Sequence, residues 1–260
     1  MIRVFSFVGS CAGEASFTAR LSDMAAERLR LLAEAGGESV EYERVTGADI
    51  RIDFCRSCDS CFKKGFCPLD SGDDMAALKQ KILDADVLFF CTPVYLGTMS
   101  GFAKCVMDRI SYWAHRFELA GKTAAVLVST SNSYGKETAD WLKKCLQYMG
   151  ASVAYSGAAC RHQGTPNIHL PSQIEPELDA AAENILACLA SPESFVEHWQ
   201  DRHYWHWNWL NQKTRTFMDF IGEEPPEEVI VRERSGQLDF GSLQEYIISL
   251  KPDTQNTEDR

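Results

Sequence analysis

The chain has 260 residues, 45% of them hydrophobic and 24% charged, and a formal net charge of −11. This composition is typical of an ordinary globular protein of one large domain or of a domain with an appendage. The negative charge argues against a nucleic-acid partner, because binding a phosphate backbone needs a cationic surface. With no uninterrupted run of about 18 apolar residues, we expect no membrane span and no membrane partner.

Strands and amphipathic helices alternate along the first 190 residues. Strands are predicted at 2–8, 39–46, 86–92, 123–130 and 151–158. Helices are predicted after residue 16, from Asp73-Asp74, from Gly101, after residue 135 and at about 174–190. Such alternation implies right-handed crossovers and a parallel sheet covered on both faces. The sequence therefore predicts an α/β fold of the flavodoxin-like doubly wound type, with a five-stranded parallel sheet.

Three loops leave the carboxyl ends of the predicted strands, where an open parallel sheet binds its ligand. They span 9–16, 92–100 and 130–135. The first precedes a helix, whose N-terminus suits a phosphate, and Ser10, Ser16 and Thr18 could add hydroxyl donors. A tight turn with a serine cap explains this loop equally well. The second loop carries an aromatic residue and the third is rich in hydroxyl and amide groups, so the three together favour a nucleotide with a flat ring.

The most distinctive stretch of the sequence is a compact cysteine run at 54–70. Its four thiols are at Cys55, Cys58, Cys61 and Cys67. Closely spaced thiolates repel one another unless a metal cation neutralises them. Successive steps of three residues suit the corners of a 4Fe-4S cluster better than a zinc ion, which usually takes two separated cysteine pairs. We therefore predict a cluster on these four cysteines, while zinc and redox-active thiols without a metal remain open alternatives.

The other cysteines indicate a reducing environment. Ten cysteines would predict disulfides in a short secreted chain, but the first eight residues form a strand-like run without the features of a signal peptide. We therefore expect a cytoplasmic protein with mostly unpaired thiols. Four cysteines inside apolar patterns are predicted to be small core residues, namely Cys91, Cys105, Cys145 and Cys188.

Residues 191–260 form an aromatic-rich extension. The run that starts at His198 contains many tryptophans, which bury well in an interface, so we predict a lid over the ligand or an arm for oligomerisation. His203 and His206 could share a metal, although packing among aromatic rings is the favoured explanation. Residues 240–250 are predicted to add a short strand or helix, and a loose terminus is predicted from Lys251 onward.

With the cysteine run after the second strand and Thr92-Pro93-Val94-Tyr95 after the third, residues 1–190 resemble an iron–sulfur flavoprotein. That family lies within the flavodoxin-like NAD(P)H-dependent FMN reductase superfamily. The resemblance implies a 4Fe-4S cluster, and FMN with its phosphate at Ser10, Ser16, Phe17 and Thr18. It places the flavin ring between Thr92, Pro93, Val94, Tyr95 and Gly97 on one side and Ser131, Asn132, Tyr134 and Gly135 on the other. It also implies a homodimer or homotetramer.

The resemblance implies an oxidoreductase that passes electrons between the cluster and FMN and so couples one-electron and two-electron partners. The donor or acceptor would be a small redox protein or a small molecule, with NAD(P)H as a candidate donor. Two alternatives remain: an NAD(P)H-dependent FMN or quinone reductase without a cluster, and a zinc-stabilised scaffold that is not an enzyme. No acid–base pair stands out, because Tyr95, Tyr134, His162 and Asp108 are each as easily structural. At the phosphate loop the family commonly has Ser-Pro-Arg where this chain has Ser10-Cys11-Ala12, and Glu14 adds negative charge, which predicts weaker FMN binding.

Overall fold

A twisted parallel sheet forms the centre of the protein, of which a computed structural model describes residues 1–160 and 171–251. The strands are β1 (Ile2–Val8), β2 (Val40–Thr46), β3 (Val87–Tyr95), β4 (Thr98–Met99), β5 (Thr123–Thr130) and β6 (Ser152–Cys160). Five of them are parallel in the order β2-β1-β3-β5-β6, and β4 pairs antiparallel with the end of β3. The predicted doubly wound five-stranded parallel sheet is confirmed. β3 is longer than predicted because Val94 and Tyr95 pair with Met99 and Thr98.

Both faces of the sheet are covered by helices. The helices of the first 190 residues are α1 (Phe17–Ala35), α2 (Ser60–Lys64), α3 (Met75–Asp84), α4 (Gly101–Arg109), α5 (Trp113–Arg116), α6 (Gly135–Tyr148) and α7 (Pro171–Ala190). α1 and α7 pack on one face, and α3, α4 and α6 pack on the other. Alternate residues of a strand therefore enter different cores: Phe90 lies in the core under α4 and Phe89 in the core under α1. In the part of the chain that the structure describes, no helix is both long and apolar enough to span a membrane.

All ten cysteines are free thiols. The predicted core position is confirmed for Cys91, Cys105 and Cys188, which are buried, whereas Cys145 is half-buried. Burial disfavours the thiolate, and it raises the pKa of Cys91 to about 11. These cysteines therefore act as small apolar residues and not as nucleophiles.

The extension is helical and packs on its own chain. Its helices are α8 (His198–Ile221), α9 (Glu227–Arg234) and α10 (Leu243–Ser249), so the short element predicted at 240–250 is a helix. A third hydrophobic core joins them to the segment after α5, and it contains Phe117, Val196, Tyr204, Leu243, Tyr246 and Ile247. The Arg232 guanidinium is fully buried there, 4.8 Å from the Phe117 ring centroid and 5.3 Å from that of Tyr204. The extension thus has a small core of its own, with one wall supplied by residue 117.

Candidate functional site

The loop between β1 and α1 presents the N-terminus of a long helix at the carboxyl edge of the sheet. Ser16 caps α1, since its Oγ accepts a hydrogen bond from the Ala19 N–H at 3.4 Å. Thr18 is buried with its Oγ1 2.6 Å from Ser129 Oγ, and Ser10 Oγ accepts from the Ala12 N–H. These hydroxyls therefore help to hold the loop, and the attraction for an anion comes largely from the helix dipole and the first-turn N–H groups. Phe17 opens the helix.

A cation that we did not predict lies at this loop. Arg44, on β2, pairs through Nη2 with Glu14 at 2.9 Å and through Nε with Asp23 at 2.8 Å. Arg44 therefore offsets the negative charge of Glu14, although Asp23 shares it. The signal in the sequence is faint, because only the β1–β2 register brings residue 44 back to this end of the sheet.

A cleft of about 570 Å³ opens between the loops that follow β3 and β5. Its lining consists of Val94, Leu96, Gly97, Thr130, Ser131, Asn132, Ser133 and Tyr134. Such a volume is in the range of small-molecule sites. Gly97 lies beside the Tyr134 ring, since a Cβ on Gly97 would be 3.6 Å from that ring. The Tyr134 side chain, which lines the cleft, is 54% exposed and offers aromatic surface to a flat ligand, whereas the predicted Tyr95, at the end of β3, is 57% exposed and lies outside the cleft lining.

The backbone of the cleft is strained on both sides. Leu96 has φ 48° and Tyr134 has φ 62°, both in the left-handed region that non-glycine residues seldom occupy. Gly97, with φ 82°, takes the same region without a steric penalty. Backbone strain of this kind concentrates at ligand sites, where the surrounding structure holds it in place.

The structure brings most of the predicted ring-binding residues together and assigns the others to the framework. Val94, Gly97, Ser131, Asn132 and Tyr134 line the cleft. Thr92 is fully buried, and its Oγ1 accepts a hydrogen bond from the Ser100 N–H. Gly135 is also buried, and a Cβ at that position would lie 2.8 Å from Ala158 Cβ. Pro93 lies in β3 opposite Ser129. These three position the loops. We missed three lining residues, Leu96, Thr130 and Ser133, of which Thr130 stood at the end of a predicted strand.

The cysteine loop follows β2 and contains little regular structure apart from α2. Cys55 and Cys58 are exposed, and Cys61 and Cys67 are half-buried. Among the described residues, no group of three or more His, Cys, Asp or Glu side chains is arranged to hold a metal ion. The donors of a single metal ion surround one point, whereas a 4Fe-4S cluster binds one thiolate at each of its corners. A cluster therefore does not need its four thiols to meet at one point. A hydrogen bond with the Ser60 hydroxyl lowers the pKa of Cys58, and burial raises the pKa of Cys61.

The loop turns sharply beside its cysteines. Ser57 and Asp59, on either side of Cys58, have φ 51° and 57°, and Gly65, between the third and fourth cysteines, has φ 80°. Two non-glycine residues in the left-handed region within three positions are costly for a surface loop.

A buried arginine ties the two ends of the cysteine loop together. Arg109 on α4 is fully buried, and its Nη1 donates to the Asp53 carbonyl at 2.8 Å and pairs with Asp73. Its Nη2 pairs with Asp70 at 2.7 Å. The Arg109 guanidinium lowers the pKa of Asp73 against the opposing effect of desolvation. The loop is therefore anchored just before its first cysteine and just after its last.

Two buried guanidinium groups next to the loop have an unused donor. Arg109 Nε and Arg116 Nη2 are buried with no hydrogen-bond partner among the described residues. A buried donor left unpaired costs about 1–3 kcal/mol, so each one calls for a missing acceptor. An anionic sulfur cluster carried by thiolates would supply both acceptors and charge. On this observation the residues of the loop and its surroundings fit an iron–sulfur cluster.

The histidine pair of the extension is an aromatic packing site. His203 lies 4.9 Å from the Tyr148 ring and 6.3 Å from the Trp207 ring between centroids. Burial lowers its pKa to about 4, so the imidazole is neutral at physiological pH. These contacts agree with the packing explanation for His203. His162, considered above as a candidate acid or base, lies outside the described residues.

Comparison with known proteins agrees with these features. The family model of the NADPH-dependent FMN reductases matches residues 2–165. An iron-sulfur flavoprotein of Methanocaldococcus jannaschii is 34% identical over 113 residues, which are 43% of this chain and 56% of that protein. One of Archaeoglobus fulgidus is 27% identical over 158 residues, which are 59% of this chain and 71% of that protein. The chain thus spans little more than half the length of the first relative.

Solved structures share the same fold. The structure of RosB with a bound riboflavin-5'-phosphate intermediate has a TM-score of 0.54 at 20% identity and covers 74% of this chain and 82% of that one. The apo form of an NADH:FMN oxidoreductase has a TM-score of 0.53 at 18% identity and covers 76% of this chain and 95% of that one. At these identities the likeness establishes the fold and leaves the chemistry to the residues described above.

Proposed function

Because the chain belongs to the NADPH-dependent FMN reductase family, a family of flavin-dependent oxidoreductases, we propose that it binds FMN in the cleft beside Tyr134. We propose further that it carries a 4Fe-4S cluster on the cysteine loop and couples one-electron and two-electron partners. The observation that carries this proposal is the pair of buried arginines, Arg109 and Arg116, which donate to backbone carbonyls in or next to the cysteine loop and each have a buried donor without a partner among the described residues. FMN would supply one- and two-electron chemistry, and the cluster single-electron transfer.

The chain's own residues account for flavin binding as follows. The N-terminus of α1, together with Ser10, Ser16 and Thr18, would hold the phosphate. Val94 and the Tyr134 ring would contact the faces of the flavin ring, and Gly97 leaves the space that the ring needs. The hydroxyl and amide groups of Ser131 and Asn132 would reach its polar edge.

On the cysteine loop, Cys55, Cys58, Cys61 and Cys67 would be the cluster ligands. Arg109 holds the two ends of this loop through Asp53, Asp70 and Asp73, so a single buried side chain restrains the segment that carries the four proposed ligands. Its positive charge is buried beside the loop, where an anionic cluster would gain from it. Both ends of the loop are thus held next to a buried cation, which suits the binding of an anionic group.

We also propose that the protein is a cytoplasmic homodimer or homotetramer. The support for self-association is a row of exposed apolar side chains on α8, comprising Trp205, Trp209, Leu210, Phe217, Phe220 and Ile221. This row is too apolar for solvent, and in a two-fold dimer the same face of a second copy would cover it. The ten free thiols fit a reducing compartment. The electron donor or acceptor is a small redox protein or a small molecule, with NAD(P)H as the first donor to test.

Anaerobic reconstitution tests the central proposal. The protein is incubated with iron, sulfide and FMN, desalted, and analysed for all three, alongside Cys58→Ala and the control Cys145→Ala. Cys58 is an exposed thiol of the loop and Cys145 a half-buried thiol outside it. We expect stoichiometric cluster and FMN in the wild type and in Cys145→Ala, and loss of iron with retention of FMN in Cys58→Ala.

The same experiment separates the alternatives. Wild-type protein that holds FMN, bleaches it with NAD(P)H and contains neither iron nor sulfide would be a cluster-free reductase. Stoichiometric zinc without a flavin absorption band would identify a scaffold and contradict the oxidoreductase proposal.

A further inference from the structure

The C-terminal extension reaches the cysteine loop through α5. α9 lies against both α2 and α5. His115 on α5 lies between the two regions, because its ring centroid is 4.9 Å from that of Phe62 in the loop and 4.4 Å from that of Trp207 in the extension. His115 Nδ1 also lies 2.9 Å from Glu228 Oε2. The region that follows residue 190 is therefore in contact with the element that adjoins the proposed cluster ligands.

Two buried side chains of the extension hold the backbone of α5. Arg232 Nη1 donates to the His115 carbonyl at 3.3 Å, and Gln237 Nε2 donates to the Arg116 carbonyl at 2.9 Å. Arg232 is itself held by Asn208 of α8, and both Arg232 and Gln237 are buried. These hydrogen bonds fix the position from which the side chains of His115 and Arg116 extend toward the loop.

Arg116 connects α5 to the turn between the third and fourth cysteines. Its Nη1 donates to the Gly65 carbonyl at 3.2 Å, and its Nη2 is the unused buried donor described above. A Cβ on Gly65 would lie 2.9 Å from Arg116 Nη2 and 2.9 Å from Glu227 Cγ of α9. The turn is thus enclosed by one residue of α5 and one of the extension, so a side chain at residue 65 would have to displace both of them and would be strained at a φ of 80°.

We propose that the extension is part of the cluster site: it positions the turn between Cys61 and Cys67 through α5, with Arg116 as the positioning residue. This inference rests on the proposed function, since it concerns a cluster on these cysteines. It assigns to residues 198–251 a task at the cysteine loop that is separate from any role as a lid or an arm.

Matched glutamine variants test the restraint on α5. Gln237→Ala removes the bond to the Arg116 carbonyl, whereas the control Gln212→Ala removes a bond to the Leu238 carbonyl that lies entirely within the extension. The variants are reconstituted, and iron release to a chelator is followed anaerobically, with bound FMN measured in parallel. The loss of one hydrogen bond predicts about five-fold faster iron release from Gln237→Ala. Release from Gln212→Ala, and FMN content in both, should match the wild type.

Gly65→Ala, with Gly222→Ala as its control, and Arg116→Met test the same inference if Gln237→Ala does not fold. Gly65→Ala should lose iron, whereas Gly222→Ala, which also has a positive φ but open space around its Cβ position, should retain it. Arg116→Met should shift the cluster midpoint potential to a more negative value, because a nearby positive charge is lost. If Gln237→Ala and Gly65→Ala hold iron as the wild type does and Arg116→Met keeps the wild-type midpoint potential, the inference is wrong. If the wild type itself takes up no iron, the proposed function fails instead.

Discussion

The cleft beside Tyr134 and the cysteine loop are held in place by different parts of the fold. The cleft is made by the ends of β3 and β5, so a rigid sheet positions it and the left-handed residues Leu96 and Tyr134 shape it. The cysteine loop has only a five-residue helix of its own, and Arg109 and Arg116 hold it from neighbouring helices. The sheet thus supports the cleft directly, whereas side chains from neighbouring helices support the cysteine loop. Loss of those side chains should therefore affect the cysteine loop and leave the cleft intact.

The strongest way to break this comparison is to remove Arg109. Arg109→Met leaves Asp70 and Asp73 without their buried partner, so we expect a loss of about 3–5 kcal/mol in unfolding free energy and no cluster uptake. Urea denaturation measures the first and iron analysis the second. Lys104→Met on the same helix removes only an exposed pair with Asp108 and should cost less than about 0.5 kcal/mol. Equal losses in the two variants would contradict the anchoring role of Arg109.

Acid should loosen the extension before it affects the cleft. The folded state lowers the pKa of His203 to about 4 from an unfolded value near 6.5. The unfolded chain therefore takes up a proton as the pH falls from 6.5 toward 4 while the folded chain does not, and stability falls by roughly 1–3 kcal/mol over that window. Thermal unfolding at pH 7 and pH 5 measures this loss.

His203→Asn removes the titrating group and should flatten this pH dependence. His206→Asn, which changes an exposed histidine on the same helix, is the control and should change the dependence less, because burial lowers the pKa of His203 more than the nearby His206 does. A wild-type protein equally stable at both pH values would show that His203 is not buried as described.

The exposed face of α8 should matter for assembly and for neither site. Replacing Trp209 and Phe220 together by serine removes two large exposed apolar side chains, so we expect the proposed dimer to dissociate at concentrations at least about ten-fold higher than for the wild type. Mass determination by light scattering over a dilution series measures this change. Ile248→Ser, which changes an exposed apolar residue on α10, is the control. A double variant that associates like the wild type would exclude this face as the interface.

The smallest expected effect concerns a glycine of the cleft, whose replacement should weaken FMN binding without affecting the cysteine loop. Gly97→Ala puts a Cβ beside the Tyr134 ring at a φ of 82°, which should cost about 1 kcal/mol and weaken FMN binding roughly five-fold. Gly37→Ala has a similar φ with no atom near the new Cβ, so it should cost stability without affecting FMN. Fluorescence titration with FMN measures the affinity. Cluster content should be unchanged in both variants.

Sequence patterns were sufficient where a short stretch of chain decides its own structure. Continuous apolar runs such as 123–130 predicted buried parallel strands. The same patterns placed the cleft, because the carboxyl ends of parallel strands lie at one edge of the sheet. They did not separate Val94, which faces the cleft, from Thr92, whose hydroxyl is turned inward to Ser100. That difference depends on the β3–β4 turn.

The sequence by itself determined the order of strands and helices, the place of the ligand cleft and the four thiols of the cysteine loop, since each follows from local periodicity or spacing. Only the tertiary structure decided what supports that loop. The Gln237 amide reaches the Arg116 carbonyl across 121 positions, and Arg109 reaches Asp53 across 56. No local pattern encodes such contacts, because burial of an arginine next to a distant turn depends on how the whole chain packs.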